Sequence, residues 1–581
     1  MSNERDARRL DTDSSLGHSS FFRHSSLVIR HWFRLAIFPA CVLVSSFANA
    51  APPKLTSIFP AGAQRGQTAT VTASGSFERW PVKTWVDGPG IEVAAADEKG
   101  KLSVSVAADA LPGVHWIRLY DEEGATSPRP FIIGTLPELL EAEPNDDPRK
   151  PQLLESSAVV VNGRLEKNGD VDSFAVQLRK GQTLVASMEA NRTLGSAMDA
   201  SLQIVSGDGF VVDQNDDYHD LDPQIVFTAP TDGRFLVRTF AFPVTPDSSI
   251  RFTGNAEFIY RLTITTNGFV EYAHPLAMSM TGGFAGGPGP TVGLRGWNLP
   301  DLAEQKAVAV FHTSATPPTA FAFHRDAAGV ANFQLVPHAT DVDQEPNDRE
   351  HAQEISLPTT ITGRVAPARD ADWFRFAAKK GEKLAFRVES RGLGFPLDPF
   401  LRLTDATGKT ISEIDDSAGG RDAELNLDVP ADGEYRLLVR DLHGHGGERF
   451  VYRLTATPVV PDFNLKVASD SFVLTPGKPL EIPVTIERNN GFAGEIEIVA
   501  TGLPDGVSAT PVKSLAQGDS AKSVKLTITS ATGPHSSPIR IAGTVAGERP
   551  VSRAAAAAIA GLTAGTTDLW LTVLTPPQPK Q

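Results

Sequence analysis

Along most of the chain, apolar and polar residues alternate with a period of two, which is the pattern of strands that bury one face. Residues 114–120, 435–440, 481–486 and 524–528 are clear examples. The best helix candidate, residues 551–562, is rich in alanine but lacks a wide apolar face. Abundant proline and glycine, with 43 and 49 residues, favour short strands joined by turns. The pattern predicts an all-β protein.

A long segment of this pattern occurs twice, in the same order and at a nearly constant spacing. Such self-similarity indicates that one structural unit has been duplicated. It also argues against one unique active site built from the repeated acidic residues. The recurring pairs are Glu143-Pro144-Asn145-Asp146 with Glu345-Pro346-Asn347-Asp348, Gly163-Arg164 with Gly363-Arg364, Asp170-Val171-Asp172 with Asp370-Ala371-Asp372, and Tyr260-Arg261-Leu262-Thr263 with Tyr452-Arg453-Leu454-Thr455.

The length of 581 residues is enough for several domains of ordinary size. A glycine-rich hairpin pattern, typical of a small Ig-like sandwich, precedes each copy of the repeat. A stiff connector with proline at both ends leads into a last Ig-like module. We therefore predict tandem β-sandwich modules in an extended multidomain arrangement. The predicted boundaries are 51–136 (Ig-like), 137–266 (first repeated module), 267–340 (Ig-like), 341–458 (second repeated module) and 459–581 (Ig-like).

Residues 1–50 predict a signal peptide with a long polar lead-in. A basic segment precedes a short apolar run and the small-x-small sequence at 48–50, so cleavage is expected before Ala51. Lipoprotein processing at Cys41 is the alternative. We expect the protein to be secreted, periplasmic or at the cell surface, with no membrane span after cleavage of the signal peptide.

The charge balance is acidic. The formal net charge is −15, and the leader holds six arginines and four acidic residues, so the mature chain has −17. This balance argues against a nucleic-acid partner and suits calcium binding or plain solubility. Cys41 is the only cysteine and leaves with the leader, so the mature chain has no thiol for catalysis, metal binding or disulfides.

The repeated segment resembles the bacterial pre-peptidase C-terminal domain. The resemblance rests on Glu-Pro-Asn-Asp, Gly-Arg, Asp-x-Asp-x-Phe, Lys-Gly, Pro-x-Asp-Gly and Tyr-Arg-Leu-Thr, which occur in order in both copies. It implies a jelly-roll-like β-sandwich that is appended to secreted hydrolases, often proteases, and is itself non-catalytic. In collagenase relatives of this domain, the acidic N-terminal segment chelates calcium.

The resemblance therefore implies a calcium site in each copy. Calcium takes six to eight oxygen ligands, and an extended Glu-x-Glu-x-Asn or Asp-x-Asp segment places alternate side chains on one face. The alternative is that these carboxylates cap a turn and solvate an edge strand. The second copy departs from the first at Asp343, where the first has Glu141. The candidate ligands are Glu141, Glu143, Asn145, Asp146, Asp170 and Asp172 in the first copy, and Asp343, Glu345, Asn347, Asp348, Asp370 and Asp372 in the second.

No metalloprotease, nucleophile-elbow, phosphate-loop or dinucleotide motif occurs in the sequence. Every long window of the mature chain is already assigned to a small sandwich. We therefore expect a non-catalytic binding or spacer protein whose partner is an extracellular polymer or protein. Two alternatives stay open: a secreted hydrolase such as a protease, or an accessory region of one, and a module that binds a carbohydrate or protein polymer.

Overall fold

The computed structural model describes residues 51–245, 251–280, 291–299, 305–306, 319–417, 420–547 and 550–576. Nearly all of its regular elements are strands, which confirms the prediction of an all-β chain of tandem sandwiches. The helical segments of the described residues are single turns, α1 at Asn191–Leu194 and 3-10 turns at Arg391–Leu393 and Asp519–Ala521. In these ranges no helix has the length and apolar character that crossing a bilayer requires.

The first two modules follow each other in the chain. The strands of the first are β1 Lys54–Phe59, β2 Gly62–Gln64, β3 Thr68–Ser76, β4 Lys83–Val86, β5 Ile91–Ala95, β6 Lys101–Val106, β7 Gly113–Tyr120 and β8 Arg129–Gly134. The strands of the second are β9 Glu138–Leu140, β10 Gln152–Leu153, β11 Ala158–Arg164, β12 Asp172–Leu178, β13 Thr183–Glu189, β14 Met198–Val205, β15 Val211–Asn215, β16 Gln224–Thr228, β17 Gly233–Pro243 and β18 Ile259–Thr265.

The third module is small and the fourth is again large. The strands of the third are β19 Gly268–His274, β20 Ala277–Ser279, β21 Thr291–Trp297, β22 Gln305–Lys306, β23 Thr319–Ala322, β24 Ala327–Ala328 and β25 Ala331–Val336. The strands of the fourth are β26 Ala339–Val342, β27 Gln353–Glu354, β28 Thr359–Arg364, β29 Ala371–Ala378, β30 Lys383–Glu389, β31 Pro399–Asp405, β32 Thr410–Ile414, β33 Ala423–Asp428, β34 Gly433–Asp441 and β35 Val451–Pro458.

The second and fourth modules have the same topology. Their first sheets run β9-β11-β18-β13-β16 and β26-β28-β35-β30-β33, and their second sheets run β10-β12-β17-β14-β15 and β27-β29-β34-β31-β32. The cores match as well, since Phe174 on β12 and Phe374 on β29 are both fully buried between the sheets. The duplication inferred from the sequence is therefore a duplication of a complete two-sheet fold. The exact module boundaries stay predictions.

The fifth module has the strands β36 Asp462–Val467, β37 Ser471–Leu474, β38 Leu480–Asn489, β39 Ile496–Thr501, β40 Val507–Thr510, β41 Val512–Ser514, β42 Ser523–Ser530, β43 His535–Val545, β44 Val551–Ala558, β45 Gly565–Thr566 and β46 Leu569–Val573. The helix candidate at 551–562 is thus wrong, because most of it is strand β44. This strand pairs with β43 and β36 and buries Ala555 and Ala557. Pairing and burial override the helix propensity of alanine here.

The first and fifth modules are in contact. The Arg118 side chain on β7 is fully buried, and its Nη2 atom lies 2.9 Å from Oδ2 of Asp470. Ser127 donates a hydrogen bond to Oδ1 of the same aspartate at 3.0 Å, and the Arg118 guanidinium lies 5.6 Å from the ring centre of Trp570. Modules that are first and last in the predicted order therefore meet here. Strand periodicity carries no information about which module surfaces are buried against each other.

Replacing Arg118 tests this interface. We expect Arg118→Leu to lower the free energy of unfolding by about 3 kcal/mol, because Asp470 becomes an uncompensated buried charge. Urea unfolding followed by tryptophan fluorescence measures the loss. Lys83→Leu is the control, since the side chains of Lys83 and its partner Glu122 are both exposed, and such surface pairs contribute less than about 1 kcal/mol. Equal losses in the two variants would contradict the interface.

Candidate metal centre

In each repeated module the predicted ligands come from two places in the chain. In the first copy, the Glu-Pro-Asn-Asp segment lies in the connection between β9 and β10, and Asp170 and Asp172 lie at the start of β12. In the second copy, the Glu-Pro-Asn-Asp segment lies in the connection between β26 and β27, and Asp370 and Asp372 lie at the start of β29. Neither connection contains a strand, and the extended form expected for Glu-x-Glu-x-Asn stays a prediction.

Each connection is hydrogen-bonded to the chain at the start of β12 or β29. In the first copy, Oδ1 of Asp146 accepts the backbone N–H of Val171 at 3.2 Å. In the second copy, the carbonyl of Asn347 accepts the backbone N–H of Trp373 at 2.7 Å. The acidic segment is therefore held beside the Asp-x-Asp residues by hydrogen bonds from backbone N–H groups.

Three carboxylates meet in each copy. The first acidic group comprises Glu143, Asp170 and Asp172, and the second acidic group comprises Glu345, Asp370 and Asp372. In each group, one oxygen from each side chain lies within 4.8 Å of the others. Asp172 and Asp372 are fully buried, while both glutamates are exposed. Like charges this close repel each other, and a cation among them would remove the repulsion.

A buried tyrosine fixes the innermost aspartate of each group. The hydroxyl of Tyr260 on β18 donates to Oδ2 of Asp172 at 2.5 Å, and Tyr452 on β35 donates to Asp372 in the same way. Tyrosine and aspartate belong to opposite sheets, so each bond crosses the sandwich.

A glycine makes room for each tyrosine. Gly163 is the register partner of Tyr260, and Gly363 is the partner of Tyr452. A Cβ atom at either glycine would lie 2.1 Å from Cζ of the partner ring. Such a distance is far below van der Waals contact, so only glycine fits at these two positions.

Burial changes the protonation of the inner carboxyls. It raises the pKa of Asp172 to about 10, with the neighbouring charge of Glu141 acting in the same direction. Burial likewise raises the pKa of Asp372 to about 8 and the pKa of Glu141 to about 7. The two aspartates are therefore protonated at pH 7 unless a nearby cation stabilises their charged form.

A buried amide adds a possible ligand to each copy. Asn145 and Asn347 are 1% and 0% exposed, and neither Oδ1 nor Nδ2 of either residue has a hydrogen-bond partner in the described structure. Buried polar groups are almost always paired. An amide oxygen that remains available two residues after a group glutamate matches the oxygen-only chemistry of a calcium site.

Two other predicted ligands have structural partners beside the groups. Glu141 accepts the backbone N–H of Arg164 at 2.7 Å and the hydroxyl of Tyr260 at 3.2 Å. Asp343 accepts the backbone N–H of Arg364 at 2.8 Å, so the shorter side chain in the second copy keeps this contact. Each carboxylate is therefore hydrogen-bonded to the strand that contains Gly163 or Gly363.

The last pair of predicted ligands differs between the copies. Oδ2 of Asp146 lies 3.3 Å from Nζ of Lys167. Asp348 is exposed and accepts a contact from the His351 ring at 2.9 Å as well as two backbone N–H groups of its own turn. For Asp348 the structure thus favours the alternative interpretation, in which the carboxylate caps a turn.

Sequence reasoning missed the two tyrosines and their glycines as parts of the site. The signal was present, because Gly-Arg and Tyr-Arg-Leu-Thr recur in both copies. It also missed Asp222, which accepts the backbone N–H groups of Ala190, Asn191 and Arg192, and Asp422, which does the same in the second copy. Their sequence surroundings differ too much for the pair to stand out.

Residues 370–441 match the family model of the bacterial pre-peptidase C-terminal domain. This chain contains such a domain. The match begins at an aspartate of the second acidic group and ends with β34, so it lies in the fourth module. Membership of the second module in the same family stays a prediction, which its identical strand order supports.

Individual proteins are similar to parts of the chain. A probable subtilase-type serine protease of Deinococcus radiodurans is 39% identical over 99 residues, which are 16% of this chain and 14% of that protein. The pre-peptidase C-terminal domain of a Bacillus anthracis collagenase is 20% identical, covers 18% of this chain and 93% of that chain, and has a TM-score of 0.16. Fibronectin(III)-like modules of Clostridium thermocellum CbhA are 12% identical, cover 35% of this chain and 91% of that chain, and have a TM-score of 0.13.

The tyrosine and glycine pair can be tested by Gly363→Ala. We expect this variant to lose about 2 kcal/mol of stability, because the new methyl group displaces the Tyr452 ring from Asp372. Gly433→Ala is the control, since a Cβ there meets no described atom within 4 Å, and its effect should stay within about 0.5 kcal/mol. Thermal unfolding of both variants measures the difference. A tolerated Gly363→Ala would contradict the close approach.

The raised pKa values predict how stability depends on pH without metal. Asp172 and Asp372 hold protons in the folded chain that an unfolded aspartate releases near its ordinary pKa of about 4. The folded state therefore binds more protons above that pH, and the free energy of unfolding should fall as pH rises from about 4 to about 8. Urea unfolding at pH 5 and pH 8 in a chelator measures the slope. The double variant Asp172→Asn, Asp372→Asn should flatten it, and an unchanged slope would contradict the assigned shifts.

Proposed function

We propose that this chain is an exported, non-catalytic binding or spacer protein whose repeated modules are stabilised by calcium at the two acidic groups. The observation that carries the proposal is the recurrence, in both copies, of three convergent carboxylates and, two residues after the glutamate, a buried amide with no hydrogen-bond partner. Capping a turn would not require Asp172 and Asp372 to be buried in a cluster of acidic side chains.

The donor set favours calcium over other ions. All ligand atoms on offer are carboxylate or amide oxygens, which hard cations prefer, and neither acidic group contains the histidine or cysteine that zinc or copper would select. An exposed glutamate in each group leaves an entry path from solvent. Calcium bound there would connect the acidic loop, which precedes β10 or β27, to the start of β12 or β29.

A second candidate is an accessory region of a secreted protease. The family match and the similar subtilase-type protease support it. The chain spans about one seventh of that protease's length. A role in proteolysis and a location outside the cell are therefore part of the proposal for this chain. On either proposal the partner is an extracellular protein or polymer, and export through the predicted signal peptide brings the chain to it.

Calcium should raise the melting temperature of the full chain. An ion at about 100 times its dissociation constant stabilises the folded state by about 2.7 kcal/mol, which is a shift on the order of 10 °C for a module of this size. Differential scanning calorimetry in millimolar calcium and in excess chelator measures it. Asp372→Asn should reduce the shift, and Asp428→Asn, an exposed aspartate of the same module, should not. An unchanged melting temperature would contradict the proposal.

A further inference from the structure

The two acidic groups differ in one charged neighbour. The loop between β11 and β12 carries Lys167, whose Nζ atom lies 3.3 Å from Oδ2 of Asp146 and 3.3 Å from Oδ1 of Asp170. The other oxygen of Asp170 accepts the backbone N–H of Glu166 at 2.5 Å. The ammonium group therefore contacts the one oxygen of Asp170 that the loop backbone leaves free.

The second copy has the same loop without the cation. The N–H of Asp170 donates to the carbonyl of Lys167, and the N–H of Asp370 donates to the carbonyl of Pro367, both at 3.1 Å. Pro367 is thus the structural equivalent of Lys167, and it has no charge. The position that places an ammonium group against the first acidic group is neutral in the second.

No other cation replaces Lys167 in the second copy as far as the described residues extend. His351 pairs with Asp348, which lies outside the group, and the Arg364 guanidinium pairs with Glu448. The carboxylates of the second acidic group form no ion pair with a described Lys, Arg or His side chain. The Arg364 guanidinium opposes, as a minor influence, the rise in the pKa of Glu345, but no described cation contacts the second acidic group as Lys167 contacts the first.

We propose that Lys167 is a built-in counter-ion that lowers the calcium affinity of the first acidic group, so that the second acidic group is the tighter site. This inference rests on the proposed function, because it assumes that the groups can bind calcium. Lys167 repels an approaching divalent cation and occupies an oxygen that the ion would use. Its side chain is 61% exposed, and a lysine has a flexible four-carbon stem, so it can move aside and weakens the first site without closing it.

The decisive measurement is calorimetric titration of calcium chloride into the full chain in a background that disables the second group. Asp372→Asn provides this background, and Glu345→Gln, which changes an exposed residue, provides a second one if the first does not fold. In that background, adding Lys167→Gln should tighten calcium binding by at least about tenfold. Lys167→Arg keeps the cation and should leave the affinity unchanged. Lys180→Gln removes an exposed lysine of the same module and is the charge control.

The outcomes separate the two proposals. Equal calcium affinity with and without the Lys167→Gln substitution would overturn the inference, even if the unaltered chain binds two ions. If the unaltered chain shows no binding and binding appears only after Lys167→Gln, the claim that the second acidic group is the tighter site would be overturned, while calcium at the first acidic group would stand. No binding in any variant would overturn both. An equal gain from Lys180→Gln would mean that net charge, and not the position of Lys167, sets the affinity.

Discussion

The repeated module depends on a carboxyl group buried between two sheets and hydrogen-bonded to a tyrosine of the opposite sheet. Asp172 with Tyr260, and Asp372 with Tyr452, join strands that are far apart in the chain. The contact requires a glycine beneath each ring, and it sets the position of the Asp-x-Asp segment that faces the acidic loop. The same burial that makes this contact specific also makes the carboxyl costly to ionise. The chemistry of the acidic groups follows from this cost.

The duplication provides an internal comparison that a single domain would not. Residues that keep their contacts in both copies, such as the aspartates that cap the turn after β13 and after β30, belong to the fold. Residues that differ at equivalent positions, such as Lys167 and Pro367, are candidates for a difference in function. One chain thus contains both a variant and its reference in the same structural setting.

Much of the fold could be predicted because its signals are local. Period-two alternation identified the strands, and the recurrence of whole motifs identified the duplicated unit. The strand at 551–558 could not be predicted in this way, because its alanines acquire their burial from β43 and β36. The pair of Arg118 and Asp470 could not be predicted either, since nothing in the sequence links residues of the first and last modules. At the candidate site, the carboxylates were recognisable by type, whereas Tyr260 and Tyr452 acquire their roles only when the two sheets face each other.

The pair of Arg118 and Asp470 also changes what counts as a separable part of this protein. Each module has its own core, which suggests that modules could be removed or exchanged singly. A truncation that removes the first module, however, uncovers Asp470, and one that removes the fifth uncovers the Arg118 guanidinium. Either cut exposes a surface shaped for burial and leaves an ion without its partner. A recombination event that keeps one of these two modules without the other would therefore carry an energetic cost that the separate cores would not predict.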